Sequence, residues 1–535
     1  MLQGLENYSS RTLFKQFVGS ETSPSWFSIS YKTFLENLER SAAYWVKHLS
    51  EQGLQQNDVV GLWVTGVVYS DLVHIYGLVR AGFIPEVLNA KMTVSIIADL
   101  LATTGGKALL YDTSFAGIVK DAPLTVFKLS VPDLDSLAAP SSPLPALPDV
   151  GCNDIAIIFH TSGTVSGIPK PVPETHRWLT SQAQVQWCGM WQFNTDGGPL
   201  TVNNIGSFAN VGSASTISCL CWSGHCLVQT SKPDIESDEF LAMVDEGLNA
   251  IVLYAPWFSK LLNIARKNTV VLDALKNMGQ ICYTGVALNP DDEAWAVEQK
   301  MPVTALYATT ECAVCLVSPL NIEGILPAMR VIDGVQCTFI PARGLGSSDL
   351  DGDSETRSQG GQLFDLFVPP EADNCPHPSI RNRPDGHITG DLFEEIQPGF
   401  FCFRGRNDDW IRTGKHLSFC DTKSIEDNVL TTCADLVQNC VVVGHYKPAI
   451  VLFVEPIQPI TSAEDDNLLK EAILNRTRAF TDRLFIHEKV TSLSQIVSVP
   501  SGSLPRTTVR SSLPRKAVEE DHAAALQGIY KQLST

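Results

Sequence analysis

The chain contains no apolar run of about 18 residues, which excludes a membrane-spanning helix. Basic runs are missing too: 39 Lys and Arg stand against 58 Asp and Glu, a net charge of −19. A duplex-binding surface needs clustered cations to displace counterions, so nucleic acid is excluded as a partner. An anionic ligand would have to be held locally, by a few placed donors. Charged residues are sparse at 18%, while hydrophobic ones reach 44% of the 535 residues. That balance excludes disorder as a description of the whole and leaves ample material for buried cores. Met1–Tyr8 carries Glu6 and lacks the apolar centre of a signal peptide, so the 14 scattered cysteines read as reduced thiols in a cytoplasmic protein. Cys312 and Cys315 have metal-like spacing, but no second pair or histidine set accompanies them, so structural thiols are expected there. Internal repeats and coiled-coil heptads are also missing.

What is present alternates. Tyr31–Leu49 shows apolar residues at three- and four-residue intervals, Val59–Val64 reads as a buried strand, Ser70–Ala81 as a helix and Ala108–Tyr111 as another strand. Strands separated by helices predict an α/β fold with parallel sheets. Pro132–Asp149, rich in Pro, Ser and Ala, reads as a surface connector. Further strands are expected at Ile155–Phe159, Ala250–Tyr254 and Val303–Tyr307, with a helix over Glu174–Met190. Gly344–Gly361 reads as a polar loop, and a last unit holds strands Cys440–Val443 and Ile450–Val454 and a helix around Asn467–Arg483.

The most informative segment follows the strand at 155–159. It runs Thr161-Ser162-Gly163-Thr164-Val165-Ser166-Gly167-Ile168-Pro169-Lys170. Glycines let backbone N–H groups approach an anion, the hydroxyls add donors and Lys170 adds charge, a set suited to polyphosphate. It is not a Walker A loop, which places four residues between its glycines and ends Gly-Lys-Ser/Thr. The segment resembles the phosphate loop of the adenylate-forming superfamily, the group of acyl-CoA synthetases, luciferases and peptide-synthetase adenylation domains. The usual form there is Thr-Ser-Gly-Thr-Thr-Gly-x-Pro-Lys; here Val165-Ser166 replaces a single Thr, so the loop is one residue longer.

Three further segments match that superfamily in order. Tyr307-Ala308-Thr309-Thr310-Glu311 resembles Tyr-Gly-x-Thr-Glu. The resemblance places Tyr307 and Thr309 beside the nucleotide, Thr310 on the AMP phosphate and Glu311 on Mg²⁺, a hard cation that prefers carboxylate oxygen. Ala308, standing where the family has Gly, would narrow the acyl pocket by a methyl. Thr389-Gly390-Asp391 resembles Thr-Gly-Asp, whose carboxylate accepts from both ribose hydroxyls. Gly405-Arg406-Asn407-Asp408-Asp409-Trp410-Ile411-Arg412-Thr413-Gly414 resembles Gly-Arg-x-Asp-Asp-x-Ile-Lys-x-x-Gly, shortened by one position before the glycine if Arg412 is paired with that Lys. By that likeness Arg406 approaches ribose and phosphate, Asp408 is a hinge, and Gly414 lies close to a pantetheine tunnel.

Weaker matches add Gly285-Val286-Ala287 as an adenine wall, and Phe208, Ala209 and Asn210 at the acyl pocket. Amino-acid-activating relatives place an Asp near Ala209 or Asn210 to pair an α-ammonium. Its lack here predicts an aryl, fatty or polyketide-derived acid without a free α-amino group. Near its end the family carries Leu-Pro-x-Thr-x-x-Gly-Lys. Here Leu504-Pro505-Arg506-Thr507 is intact, but Arg510 and Ser511 replace Gly and Lys. Arg510 and Lys516 are the remaining candidates for the catalytic cation, and losing such a donor typically lowers rate by about 10²–10³.

The resemblance therefore implies a large N-terminal lobe, 1–407, of parallel or mixed sheets with flanking helices and the connector 132–149. A small mobile α+β cap, 408–535, would follow the hinge Asp408. It implies ATP-dependent conversion of a small carboxylic acid to an acyl-adenylate with Mg²⁺, then transfer to a thiol. CoA is the first expectation, a separate carrier protein the second, and an amine acceptor a third. The general look of the chain resembles fungal stand-alone members of secondary metabolism. The alternative is a degenerate member that binds nucleotide or acyl groups, or transfers acyl groups, without adenylating.

Overall fold

The computed structural model describes all residues except 21–22, 139–145, 162–168, 194–197, 233–234, 321, 323, 343–361, 407–409, 415–417, 485, 507–512 and 534–535, and the side chains of 412, 418 and 419. The chain is a mixed α/β protein of two compact units. The first is built from Met1–Thr161, Pro171–Thr389 and Phe393–Phe403; the bulk of the second is Arg404–Thr535, together with Gly390–Leu392 and, of the described residues, Pro169 and Lys170.

In the first unit a nine-stranded sheet has at its centre Val303–Thr309, Gln280–Thr284, Ala250–Tyr254, Thr201–Asn203 and Cys226–Val228, side by side in that order. These neighbours pair in parallel. Antiparallel strands close the sheet at both ends, Ala313–Val317 beyond Val303–Thr309 and Trp26–Ser30 at the opposite edge. The period-2 alternation of a strand divides its side chains between two cores. Ala250, Val252 and Cys282 join one cluster, while Ile251, Leu253, Ile281 and Tyr283 join the other.

A six-stranded sheet runs Phe127–Ser130, Ala108–Tyr111, Val59–Trp63, Ile84–Leu88, Ile155–His160, Pro171–Thr175. Its first five strands pair in parallel and the last is antiparallel. Helices Tyr31–Ser50 and Tyr69–Ala81 share one continuous core with strands of both sheets. The first begins where the Ser30 side chain accepts the Thr33 N–H. It buries Tyr31, Phe34, Leu38, Trp45 and Leu49, spaced by three, four or seven residues along one face. Each such side chain contributes roughly 1.5–3 kcal/mol when removed from water.

Most expected elements form within one to four residues of the bounds read from sequence. The predicted helix over Glu174–Met190 forms over His176–Met190, starting two residues later than expected. Glu174 and Thr175 belong to the strand Pro171–Thr175, and the helix begins at His176. Two physical reasons apply. The Thr175 hydroxyl accepts the Trp178 N–H at 3.1 Å and so fixes the helix start. The strand is also an edge strand, where Pro171 and Pro173 are tolerated although they lack an N–H. Downstream the helix passes through a π turn at Gln182–Gln186. The strand predicted to stop at Tyr307 continues to Thr309 and turns back into Ala313–Val317. The predicted loop Gly344–Gly361 lies outside the described residues.

The second unit has its own core. Val437–Val443, Val451–Pro456 and Ile496–Ser498 form a three-stranded sheet. Cys440, Val442, Leu452 and Val454 face one cluster with helices Thr422–Thr432 and Ala463–Thr481; Val441, Val443, Val451 and Phe453 face another with Arg515–Asp521 and Ala523–Leu533. The fourteen cysteines are free thiols; only Cys152 and Cys188 are exposed, and Cys337 is half-buried. Burial pushes the Cys221 and Cys226 thiols up to about 12 and Cys282 up to about 11.

Candidate active site

In open parallel sheets, ligands collect beyond the carboxyl ends of the strands. In the nine-stranded sheet those ends carry Asn204, Tyr254, Gly285-Val286-Ala287 and Thr310-Glu311. Gly285 has φ +90°, and a Cβ there would stand 2.7 Å from the Tyr254 ring, so only glycine fits without strain. Gly285, Val286 and Ala287 are exposed, as is Ala308. Tyr307 is buried and packs edge-on against Phe393, ring centroids 4.9 Å apart. The Thr309 hydroxyl accepts the Cys312 N–H at 2.9 Å, which holds the turn carrying Thr310 and Glu311. The Glu311 carbonyl accepts from Trp178 Nε1 at 3.1 Å. Thr309, Thr310 and Glu311 are half-buried, within reach of solvent.

At the expected acyl pocket the three residues separate. Phe208 is fully buried, 6.1 Å from the Phe14 ring in the main core, and Ala209 is also buried. Asn210 is exposed and precedes helix Val211–Ser223. Next to them, Asn203 bridges strands by accepting the Val252 N–H at 2.7 Å and donating to the Val252 carbonyl at 2.8 Å.

In the six-stranded sheet, Thr161 follows the end of Ile155–His160 and is half-buried, and Lys170 is exposed. Ser162, Gly163, Thr164 and Gly167 lie outside the described residues. The strand end is anchored by His160. Its Nε2 lies 2.9 Å from Glu86 Oε1 and its Nδ1 3.2 Å from the Val87 carbonyl. Glu86 is fully buried and also accepts from the Thr104 hydroxyl at 2.7 Å. This pair escaped the motif reading; its only trace is a carboxylate inside the apolar run Ile84–Leu88.

Glu174 also escaped it. Its side chain is fully buried opposite Ile157, and neither carboxylate oxygen has a hydrogen-bond partner among the described residues. Burial, followed by the charge of Glu311, pushes its carboxyl well above the usual range. An acid directly after Pro171-Val172-Pro173 was the available signal.

The second unit carries the remaining candidates. Asp391 is buried on strand His387–Gln397, and Arg406 Nη1 stands 3.5 Å from its Oδ1. Gly414 has φ +79° and donates to the Lys447 carbonyl at 2.9 Å; a Cβ there would meet that of His487 at 2.8 Å. Asp408 and Arg510 lie outside the described residues. Lys516 is exposed on helix Arg515–Asp521, 3.8 Å from Glu520. Its neighbour Arg515 turns inward to Glu426. Arg506, from the intact Leu-Pro-Arg-Thr, is also engaged, reaching the fully buried Glu455 with both terminal nitrogens. Among the described residues no group of three or more His, Cys, Asp or Glu is arranged to hold a metal. A Mg²⁺ site would therefore use one or two carboxylates with phosphate and water, as this ion usually does. Glu311 and the orphaned oxygens of Glu174 fit that requirement.

The pattern of the family described as AMP-binding enzyme matches residues 6–337, and that of the AMP-binding enzyme C-terminal domain matches 420–534. The AMP-binding domain-containing enzyme iboA of Amanita muscaria is 31% identical over 517 residues, covering 94% of this chain and 96% of that protein. Among solved structures, ATP-bound MatB from Rhodopseudomonas palustris superposes with a TM-score of 0.71 at 19% identity, over 97% of this chain and 98% of that one. O-succinylbenzoate coenzyme A synthetase (MenE) from Bacillus subtilis, in complex with ATP and magnesium, gives 0.70 at 14% identity, over 96% and 99%. The two structures share the fold.

Proposed function

The chain belongs to the AMP-binding, adenylate-forming enzyme family, and from that premise we propose that it activates a small carboxylic acid with ATP and passes the acyl group to a thiol. The observation that carries the reading is the turn Thr310-Glu311, set beside the open ledge 285–287 at the carboxyl ends of adjacent parallel strands.

In this reading one carboxylate oxygen of the substrate attacks the α-phosphorus. The bond from that phosphorus to the bridging oxygen breaks and pyrophosphate leaves. The protein supplies position and charge, not a covalent intermediate. The roles follow the sequence motifs. Thr161–Lys170 receive the phosphates, with Lys170 as their cation, and Thr310 contacts the phosphate that becomes AMP. Gly285, Val286 and Ala287 line the adenine, Asp391 takes the ribose hydroxyls and Arg406 steadies Asp391. Mg²⁺, held by Glu311, would offset the negative charge of the phosphates. Activation matters because a carboxylate is a poor acyl donor, whereas in an acyl-adenylate AMP is a good leaving group. A thiolate then attacks the carbonyl and AMP departs, with CoA the first choice of acceptor and a separate carrier protein the second.

The 408–535 segment would turn about Asp408 between the two half-reactions. Lack of an Asp at Ala209 or Asn210 favours an acid without a free α-amino group. We place the activity in secondary metabolism and in the cytoplasm; among the described residues no helix is long and apolar enough to cross a membrane.

A second reading draws on Lys516, which is exposed and lies near Glu520, and on Ser511 standing where the family has its lysine. It holds that the chain binds nucleotide or acyl groups without adenylating. ATP–pyrophosphate exchange over a panel of aryl, fatty and amino acids separates the two. Exchange that depends on one acid supports the ligase. Silence on every acid, with measurable ATP binding, supports the second reading. Lys170→Ala is expected to lower exchange by about 10²–10³, and comparing Arg510→Ala with Lys516→Ala identifies the remaining cation.

A further inference from the structure

Glu174 has no place in the motifs, yet its surroundings are unusual. It is the fourth residue of the strand Pro171–Thr175 and is fully buried, with both oxygens unpartnered among the described residues. Burying an ionised carboxylate without a counter-charge costs several kcal/mol at least, so such a group holds a proton until it is paired or binds a cation. The charged group acting most strongly on it is another carboxylate, that of Glu311.

The backbone keeps these acids together. Thr175, next to Glu174, caps the helix His176–Ser181, and one turn into that helix the fully buried Trp178 donates to the Glu311 carbonyl at 3.1 Å. Farther along, Gln186 Nε2 donates to the Cys312 and Val314 carbonyls at 2.8 and 2.9 Å. Cys312, directly after Glu311, is buried and feels the charge of both acids. The strand, its helix and the 309–314 turn thus form one braced assembly around two acids. Both can be ionised at once only when something positive joins them.

We propose that Glu174 is a second acidic member of the divalent-cation site assigned above to Glu311, so that this chain holds its metal with two carboxylates. The inference rests on that functional reading. A pair of carboxylates plus phosphate oxygens and waters is an ordinary ligand set for Mg²⁺, which keeps part of its hydration shell. A carboxylate acting through one of those waters contributes as well.

Mn²⁺ is the probe, because its free ion has a sharp electron paramagnetic resonance signal that disappears on binding. The full-length protein is titrated with Mn²⁺ in the presence of a non-hydrolysable ATP analogue, as wild type, Glu174→Gln and Glu311→Gln. The expected result is nucleotide-dependent Mn²⁺ binding by the wild type, weakened about 10–100-fold in Glu174→Gln, the range seen for supporting metal-site residues. Wild-type affinity in Glu174→Gln, with loss in Glu311→Gln, overturns the inference and leaves the functional reading intact. A wild type that takes up no Mn²⁺ with nucleotide overturns both. If Glu174→Gln gives no cooperative melt, Glu174→Asp replaces it. That variant keeps the charge but shortens its reach: weakened Mn²⁺ binding supports the inference, and unchanged binding overturns it.

Discussion

Glu455 has a side chain fully out of solvent, yet every contact of its carboxylate is accounted for. It accepts the Leu504 N–H at 3.0 Å and the Asn439 amide at 2.9 Å, and it pairs with Arg506. Burial alone would push its carboxyl up; the Arg506 guanidinium and the two N–H donors outweigh that and hold it below the ordinary 4.5. A carboxyl depressed in the folded state stabilises above its unfolded value. That contribution disappears as pH falls through the folded value. The second unit is therefore expected to weaken below about pH 4.5, which urea melts at pH 7 and pH 4 would register. Glu455→Ala leaves Arg506 unpaired and should lower stability by about 3–5 kcal/mol. A change within 0.5 kcal/mol in the same melts would show that the pair is only decorative. At Asp391 the expected loss is in binding. Hydrogen bonds to a charged acceptor are worth about 1.5–3 kcal/mol, so Asp391→Asn should weaken AMP binding by roughly 10- to 150-fold in calorimetry, with the melt unchanged.

The element on which the first unit's site depends is the helix that starts at His176. It continues through the π turn Gln182–Gln186 to Met190, and its cap and packing fix where it starts. Thr175→Ala removes the cap and should lower stability by about 1 kcal/mol. Trp178→Phe keeps most of the packing but deletes the donor to Glu311; exchange activity is expected to fall while guanidinium melts move by less than about 1.5 kcal/mol. Equal losses in both variants would mean that the contact to Glu311 plays no separate part. The sequence misplaced only the start of this element, by two residues. From Glu174 onward the apolar residues Trp178, Ala183, Trp187 and Met190 repeat at helical spacing, and nothing in that period marks Glu174 and Thr175 as a strand end. The longer periodic elements were legible, Tyr31–Ser50 and Tyr69–Ala81 among them, because a one-sided apolar stripe encodes both type and facing. Thr310, Glu311 and Asp391 were legible as motifs. Glu86, His160 and Glu174 were not, since a buried polar group is recognisable only once its neighbours from other strands are known.

For the whole molecule the relevant fact is two units with separate cores, each with apolar clusters on both faces of its sheet. A ligand that binds only the folded state raises stability by mass action, about 2.7 kcal/mol at a hundredfold excess over Kd. Mg·ATP, and the activated acid more strongly, should raise the melting temperature of the wild type; Asp391→Asn should respond by less at the same concentrations. A protein whose melting point ignores nucleotide altogether would contradict the functional reading. At this scale the sequence conveyed a great deal, because motif order along the chain is a one-dimensional property. Residues 162–168 of the expected phosphate loop lie outside the described residues. The thiols also bear on experiments with the intact chain. Eleven of fourteen are shut away from solvent, and burial disfavours their thiolates where it pushes the thiol up. A maleimide dye should therefore react first at Cys152 and Cys188, so two substitutions would give a nearly silent background. A fluorophore pair could then be placed at will to follow motion during turnover.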